Sequence, residues 1–163
     1  MSKVDDLTIK RNLNRCTAIA VENIDRSCLR TCYAAVVTNE EGIILSEGYT
    51  HVPRGLRMCR KCYRKENKIE SGTCYEKCRS IHAEQDAIIK LSQTDNADAI
   101  YIVGLDYDTG NPIEFVRPCN ICMKFILDRG IRMIYTPSFK GSVEEMLKEN
   151  LNGEYDSLLN INR

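Results

Sequence analysis

The sequence predicts an α/β domain built in layers. Runs rich in β-branched residues alternate along the chain with segments whose apolar residues recur at helical spacing, which is typical of a sheet covered by helices. A length of 163 residues favours one domain with one core, spanning residues 1–163. Hydrophobic residues make up 43% and charged residues 28%, the usual balance for a globular domain.

The first part of the chain predicts one helix and one β-hairpin. Residues 5–24 have an amphipathic pattern that is typical of a helix. The residues expected to face the core are Leu7, Leu13, Ile19 and Ala20. Two β-rich runs, 33–38 and 43–49, flank the turn sequence Asn-Glu-Glu-Gly, so we expect them to pair.

The elements after residue 80 continue the alternation of helices and strands. In chain order they are a helix at 81–93, a strand at 99–104, a helix from Pro118 to Gly130, a strand at 131–135 and a helix capped by Ser142. Pro118 suits a first helical turn because its missing N–H is not needed there. Ser142 and Glu145 have the spacing of a capping box. The polar tail, residues 152–163, is expected to be loosely packed.

Residues 53–79 interrupt this alternation. The segment is rich in cysteine and poor in aliphatic residues, so it cannot bury much apolar surface. Between Arg54 and Arg79 the net charge is +6, although the whole chain is neutral. We interpret the segment as an insertion that is held together by something other than a core.

Composition argues against membrane and secreted classes. No apolar run approaches the roughly 18 residues of a membrane span. The first 15 residues lack the apolar segment of a signal peptide, so we expect a cytoplasmic protein with no membrane partner. Nine cysteines in such a chain indicate metal binding rather than disulfides.

Three residues have the chemistry and spacing of a catalytic zinc site. Cys119 and Cys122 lie three residues apart at a predicted helix start, so both thiolates face one way and the helix dipole favours them. His82 supplies a third ligand from the start of another helix. A catalytic zinc takes three protein ligands and leaves its fourth position for water.

Glu84 is the expected general acid/base. It lies two residues beyond His82, about 200° around a regular helix, so both side chains could not easily bind one metal from mid-helix. At a helix start Glu84 can instead reach the attacking water and the ring nitrogen beside the target carbon. We expect it to carry protons from the water to that nitrogen and to the leaving amine.

His82-Ala-Glu84 followed by Pro118-Cys-Asn-Ile-Cys122 resembles the signature of zinc-dependent nucleobase deaminases. The flanking residues are similar to the deoxycytidylate (dCMP) deaminase family of the cytidine deaminase-like fold, over about residues 26–135. The similar segments are Arg26-Ser-Cys-Leu-Arg30, the loop Gly48–Gly55, and Ser71-Gly72, Glu76 and Cys78 before Ile81–Gln85. The resemblance implies a three-layer α/β/α fold, a mixed five-strand sheet and a homo-oligomer.

The resemblance also implies where a nucleotide substrate binds. Backbone recognition of the base is expected near Ala83, and the candidates for the substrate phosphate are Arg26, Arg30 and Arg54. Thr50, His51 and Arg117 stand where the family usually has Asn, Gly and a small residue, at the rim of the pocket. Cys32 replaces a residue that is usually basic or polar.

A second zinc is expected in the insertion. Cys59-x-x-Cys62 and Cys74-x-x-x-Cys78 have the spacing of a structural site. Relatives often use the cysteine matching Cys28 for a second zinc, so Cys28 is an alternative ligand. Most basic residues of the insertion would then offset the negative charge of a four-thiolate centre.

The sequence therefore predicts a hydrolytic zinc deaminase of a cytosine nucleotide, most simply deoxycytidylate to deoxyuridylate and ammonia. Another aminated base, nucleoside or RNA base remains an alternative substrate. A zinc-stabilised nucleic-acid-binding protein without catalysis is a further alternative. A nucleic-acid partner is disfavoured because Tyr63 and Tyr75 are the only aromatic residues of the basic segment.

Overall fold

A computed structural model describes residues 4–70 and 73–150, and these contain a mixed five-stranded sheet. The spatial order of the strands is β2-β1-β3-β4-β5. Their bounds are β1 Thr31–Thr38, β2 Ile44–Tyr49, β3 Ala99–Asp106, β4 Met133–Thr136 and β5 Phe139–Ser142. Strands β3 and β4 are parallel, and the other neighbouring pairs are antiparallel.

Helices cover both faces of this sheet, as the expected three-layer α/β/α architecture requires. Their bounds are α1 Asp6–Asn23, α2 Tyr63–Glu66, α3 Ala83–Ile89, α4 Asn120–Asp128 and α5 Val143–Asn150. Helix α1 packs on one face, and α3, α4 and α5 pack on the other. Successive residues of β1 point to opposite faces, so Ala34 and Val36 pack with α1, whereas Ala35 and Val37 pack with α3.

The buried face of α1 differs from the one expected. Leu7 is 75% exposed, so its expected core position is wrong, whereas Ile19 and Ala20 are buried as expected. Asn12 and Cys16 take core positions instead. Asn12 is accommodated because its side-chain amide donates a hydrogen bond to the Gly42 carbonyl oxygen at 3.1 Å. The apolar pattern misjudged the buried face of α1 because that face includes a polar residue and a cysteine.

The helices and strands after residue 80 follow the predicted order, and strand β5 is the one element that was not predicted. The Ser142 and Glu145 capping box is present, with both reciprocal hydrogen bonds near 3 Å. Strand β5 ends at that cap, although its sequence Phe-Lys-Gly-Ser carries no strand pattern. Pro118 lies before the N-cap of α4, not in its first turn. Residues 152–163 lie outside the described part of the chain.

The insertion folds with little regular structure. It contains the single turn α2 and a 3₁₀ turn at Tyr75–Lys77. An ion pair between Lys65 and Asp108 joins it to the loop after β3, and Arg30 donates to the Ile69 carbonyl oxygen. Among the helices of the described residues, none is long and apolar enough to cross a membrane.

Candidate active site

The expected catalytic ligands lie together at the starts of two helices. The Nδ1 atom of His82 is 3.2 Å from the sulfur of Cys122 and 3.5 Å from that of Cys119. All three donor atoms lie within 4.8 Å of one another. Within residues 4–70 and 73–150, they form the only such cluster of three or more metal-binding side chains.

The start of α4 presents its two cysteines in one direction. Cys119 is the N-cap, and its sulfur accepts a hydrogen bond from the Cys122 backbone N–H. Hydrogen bonding from Cys122, and then from His82, lowers the pKa of the Cys119 thiol to about 4. Hydrogen bonds from its neighbours therefore stabilise a thiolate at Cys119, which is the form that binds metal.

This donor set fits zinc. One imidazole nitrogen and two thiolates are ligands that zinc prefers, and in a tetrahedral site bond lengths near 2.0 and 2.3 Å separate nitrogen from sulfur by about 3.5 Å. The two His82 distances are close to this separation. With three protein donors, a tetrahedral ion keeps one position for water, as in catalytic zinc sites.

Glu84 lies beside this cluster in the first turn of α3. Glu84 is only 7% exposed, and its carboxyl group lies near the Cys122 thiol. Burial raises the pKa of the Glu84 carboxyl above its usual range. A carboxyl group with a raised pKa can both accept and return a proton, as a general acid/base must.

A cavity of about 480 Å³ opens onto His82, Glu84 and Cys119. This volume is within the range of small-molecule sites. Three arginines line its wall, Arg30, Arg64 and Arg117. Its aromatic lining residues are Tyr33, Tyr75 and Phe115. The cavity therefore combines a metal site, a buried carboxyl group and cationic side chains.

Comparison with protein families matches residues 10–137 to the cytidine and deoxycytidylate deaminase zinc-binding region. The chain belongs to this family. Its members are zinc-dependent hydrolytic deaminases, so the protein is an enzyme with a catalytic zinc site. A search of curated proteins found no significant match.

Solved structures of deaminases share the fold. The dCMP deaminase of the cyanophage S-TIM5, in complex with dCMP and dUMP, is 19% identical with a TM-score of 0.56, over 81% of this chain and 82% of that one. The cytidine deaminase of Mycobacterium leprae is 16% identical with a TM-score of 0.50, over 83% and 97%. A mutant cytidine deaminase of Mycobacterium tuberculosis is 14% identical with a TM-score of 0.51, over 85% and 90%. At these identities the likeness shows the fold alone.

Close packing of α3 against β2 positions His82 and Glu84 in this deaminase. A Cβ atom on Gly48 would lie 2.4 Å from the Ala87 backbone nitrogen and 2.5 Å from the Ala83 carbonyl oxygen. The Ser46 hydroxyl also donates to the Ala87 carbonyl oxygen at 2.7 Å. Strand and helix backbones approach this closely only because residue 48 has no side chain.

The structure brings three of the expected substrate residues to the cavity. Arg30, Thr50 and Arg117 line it. The residues that do not are Arg26, His51, Arg54 and Ala83. Arg26 and Arg54 are exposed elsewhere, and Ala83 is wholly buried in the core. His51 turns inward instead, where its ring contacts Asp86.

The five cysteines considered for the second zinc, Cys28 and the four of the insertion, divide between two places. A small cavity of about 80 Å³ is lined by Cys28, Cys59, Cys62 and Cys78. Cys74 lies apart from them, in a left-handed backbone conformation with φ of 54° and an exposed side chain. The placement therefore favours Cys28 over Cys74 as the partner of the other three.

Sequence reasoning missed several residues of the cavity wall. Arg64 was expected chiefly to offset thiolate charge, and Tyr75 was not assigned to the site. Both line the cavity because the insertion folds back over the metal ligands. Their chain positions carried no signal, since the short segment has neither helical nor strand periodicity to indicate which side chains point inward.

Proposed function

We propose that this deaminase hydrolyses a free cytosine nucleotide, most simply deoxycytidylate to deoxyuridylate and ammonia. The observation that supports this substrate is the shared cavity, in which the buried Glu84 carboxyl group and three arginines face one space. A base placed against Glu84 would leave its sugar phosphate within a wall that carries positive charge. Arginine is well suited to bind phosphate because its planar fork donates two parallel hydrogen bonds.

Glu84 performs the proton transfers in this proposal. Zinc, when bound by His82, Cys119 and Cys122, supplies an activated water as the nucleophile. Glu84 accepts a proton as the water oxygen attacks C4 of the base, and passes it to ring nitrogen N3. It then delivers the second proton to the amino group, which leaves as ammonia while C4 becomes a carbonyl. Water is consumed and no redox partner is needed.

The other residues bind and orient the substrate. We assign the phosphate to Arg30, whose guanidinium is partly engaged with the Ile69 carbonyl oxygen. Arg117 is held more firmly and its charge is partly offset, because it bonds Ser138 and Val116, pairs with Glu149 at 3.4 Å and lies against Phe115. It therefore forms a fixed wall beside the metal ligand Cys119 and limits which sugars and bases fit.

The charges of the insertion also favour a small substrate over nucleic acid. Arg64 is 8% exposed and faces inward, so it is not part of an open basic surface. Lys65 pairs with Asp108, and Lys61 lies 3.8 Å from Glu66. Glu66 is already counted in the net charge of +6, so Asp108, which lies outside the segment, is the residue that offsets part of it before any partner binds.

We further propose that a second, structural zinc is bound by Cys28, Cys59, Cys62 and Cys78. These side chains line one small cavity, and four thiolates are a usual structural zinc set. No three of their sulfurs lie within 4.8 Å of one another, so zinc would have to draw them together. An Arg79 Nη atom lies 3.6 Å from the Cys59 sulfur, and Lys61 and Lys77 line the same cavity. Such cations favour thiolates, so the surroundings fit the charge of the site.

A cytoplasmic homo-oligomer completes the proposal. Helices α3 and α4 contact each other and carry exposed apolar side chains at Ile89, Ile121 and Phe125. Ile121 and Phe125 are four residues apart, so they lie on one face of α4. A second copy of the chain is the occupant we assign to this apolar surface.

Ammonia release from a panel of substrates tests the function. The zinc-loaded protein should act on deoxycytidylate in preference to deoxycytidine, cytosine, adenine nucleotides and tRNA. Glu84→Gln should lower kcat by at least roughly 100-fold, the size of a general acid/base contribution, with zinc content unchanged. No turnover of any cytosine nucleoside or nucleotide would overturn the proposal, and preference for tRNA would favour the RNA-base alternative.

A further inference from the structure

Tyr75 of the insertion contacts both a buried arginine and the metal-binding histidine. Its ring centroid is 4.5 Å from that of His82, with an interplanar angle of 73°, an edge-to-face arrangement. The guanidinium carbon of Arg64 lies 4.4 Å from the centroid of the Tyr75 ring. Both separations are within the range of favourable aromatic and cation–π contacts.

Arg64 is fixed by the backbone of the insertion. Its Nε atom donates to the Thr73 carbonyl oxygen, and Nη2 donates to the Glu70 carbonyl oxygen, each at 3.1 Å. The Ile69 N–H donates in turn to the Arg64 carbonyl oxygen. Arg64 therefore joins α2 to the segment that leads into Tyr75, and the position of the tyrosine ring depends on the fold of the insertion.

The same segment connects this contact to the cysteine cavity. Arg64 lies two residues after Cys62, and the Cys78 N–H donates to the Tyr75 carbonyl oxygen at 2.9 Å. Arg64 and Cys78 line both the substrate cavity and the small cavity of the four cysteines. The two cavities therefore share a wall, and that wall supports Tyr75.

We propose that Tyr75 is a positioning residue for His82, and that the cysteine-rich insertion must be folded around its cysteines for the catalytic site to be correctly formed. Neighbours of a ligating histidine fix its ring orientation, and their loss typically weakens metal binding or activity. Tyr75 does this by packing its edge against the imidazole, so the phenol hydroxyl is dispensable. The kinetic consequence rests on the proposed function, whereas the effect on metal binding does not.

Replacement of Tyr75 with and without retention of the ring tests this role. Tyr75→Ala should lower kcat/KM for deoxycytidylate by roughly 10- to 100-fold and accelerate zinc transfer to a chelator to a similar extent. Tyr75→Phe should remain within about twofold of the parent in both measurements, since it keeps the ring. Zinc transfer requires no turnover, so it separates failure of this inference from failure of the proposed function.

Tyr63 provides a matched control within the same insertion. Lys77 lies 5.3 Å from the centroid of its ring, and Tyr63 is 47% exposed; it lines the small cysteine cavity but not the substrate cavity. Because its half-exposed ring leaves the four cysteines in place and is absent from the wall around His82, Tyr63→Ala should keep kcat/KM and zinc transfer within about twofold of the parent. Equal losses in Tyr63→Ala and Tyr75→Ala would indicate general damage to the insertion and would overturn the positioning role.

A double-mutant cycle tests the connection to the cysteines. Cys59 is absent from the wall of the substrate cavity, yet Cys59→Ser should lower kcat/KM and accelerate zinc loss from the catalytic ligands. In a Tyr75→Ala background this further loss should be much smaller, because coupled residues are not additive. Independent, multiplicative losses would overturn the coupling. If Cys59→Ser does not fold, comparison of Tyr75→Ala and Tyr75→Phe with the parent still decides the positioning role. An increased KM in Tyr75→Ala, with kcat and zinc transfer unchanged, would refute that role.

Discussion

The Nε2 atom of His51 lies 3.2 Å from Oδ1 of Asp86, and both side chains are buried. The other ring nitrogen of His51 is 2.8 Å from the Val52 carbonyl oxygen. The second carboxylate oxygen of Asp86 accepts from the Tyr49 N–H and from Lys90. This pair therefore joins the end of β2 to α3, the helix that carries Glu84, and explains why His51 stands away from the cavity.

Asp86→Asn should destabilise the enzyme in a pH-dependent manner. Burial opposes ionisation of Asp86, but hydrogen bonds from Lys90, His51 and the Tyr49 N–H outweigh it and lower the pKa of the carboxyl below its usual range. The stabilisation is therefore fully present above the ordinary aspartate pKa of about 3.9 and is lost as pH falls through the lower folded value. We expect a cost of about 2 kcal/mol at pH 7, typical of hydrogen bonds to a buried charge.

Urea unfolding of parent and variant from neutral to acidic pH measures this difference. The free energies of unfolding should converge at the acidic end of the series. Asp6→Asn is the control, because Asp6 pairs with Lys140 at the exposed surface, where ion pairs contribute little to stability. A difference between parent and Asp86→Asn that stays constant or widens on acidification would contradict the assignment.

Gly48→Ala should displace the helix that carries the catalytic residues. The added methyl group would meet backbone atoms of α3 at 2.4 and 2.5 Å, and backbone cannot rotate away as a side chain can. Overpacking of this kind costs about 1–3 kcal/mol. A small shift of Glu84 and His82 should also reduce kcat/KM by roughly 100-fold, because catalysis is sensitive to displacements near 1 Å.

Gly110→Ala separates this steric effect from backbone strain. Gly110 has a φ of 72° and no atom within 4 Å of an added Cβ. Its replacement should cost about 1–2 kcal/mol, because a left-handed conformation disfavours alanine, while steady-state kinetics stay as in the parent. Parental kinetics in Gly48→Ala would show that α3 accommodates the methyl group.

The order of elements and the cluster of His82, Cys119 and Cys122 could be predicted because they depend on short-range signals. The Ser142 and Glu145 cap, the cysteine pair at the start of α4 and the histidine at the start of α3 are local features. Strand β1 was predicted for a similar reason, since its β-branched run is buried on both faces. In each case the signal that allowed the prediction lies in a short stretch of neighbouring residues.

The features that the sequence did not predict depend on contacts between residues that are distant in the chain. Asn12 is buried only because Gly42 offers a carbonyl oxygen, and the short strand β5 exists because it pairs with β4. His51 resembled a substrate residue by its position in the loop, but Asp86 draws it inward. Arg64 reaches the cavity through the fold of the insertion, which no periodic pattern describes.

Arg30→Gln should selectively reduce activity on the nucleotide, with little effect on the nucleoside. Arg30 lines the cavity, and loss of a charged hydrogen bond to phosphate costs about 1.5–3 kcal/mol. The kcat/KM for deoxycytidylate should therefore fall by roughly 10- to 100-fold, whereas that for deoxycytidine should change by less than about twofold. Steady-state kinetics with both substrates measure the difference.

Arg26→Gln is the matched control for this arginine. Arg26 is exposed, lies outside the cavity and donates to the Glu22 carbonyl oxygen at 3.4 Å. Its replacement should leave the preference for the nucleotide unchanged. Equal losses on nucleotide and nucleoside in Arg30→Gln would place Arg30 in the structure of the site and not in phosphate binding.

Zinc content should distinguish the ligands of the second metal. Cys28 shares the small cavity with Cys59, Cys62 and Cys78, whereas Cys74 is exposed outside it. Cys28→Ser should therefore lose one zinc ion per chain and lower the thermal midpoint, because a structural metal contributes directly to folding free energy. Cys74→Ser should keep the zinc content and midpoint of the parent. Elemental analysis of the purified variants measures this. Loss of zinc from Cys74→Ser with retention in Cys28→Ser would instead support the set expected from spacing alone, Cys59, Cys62, Cys74 and Cys78.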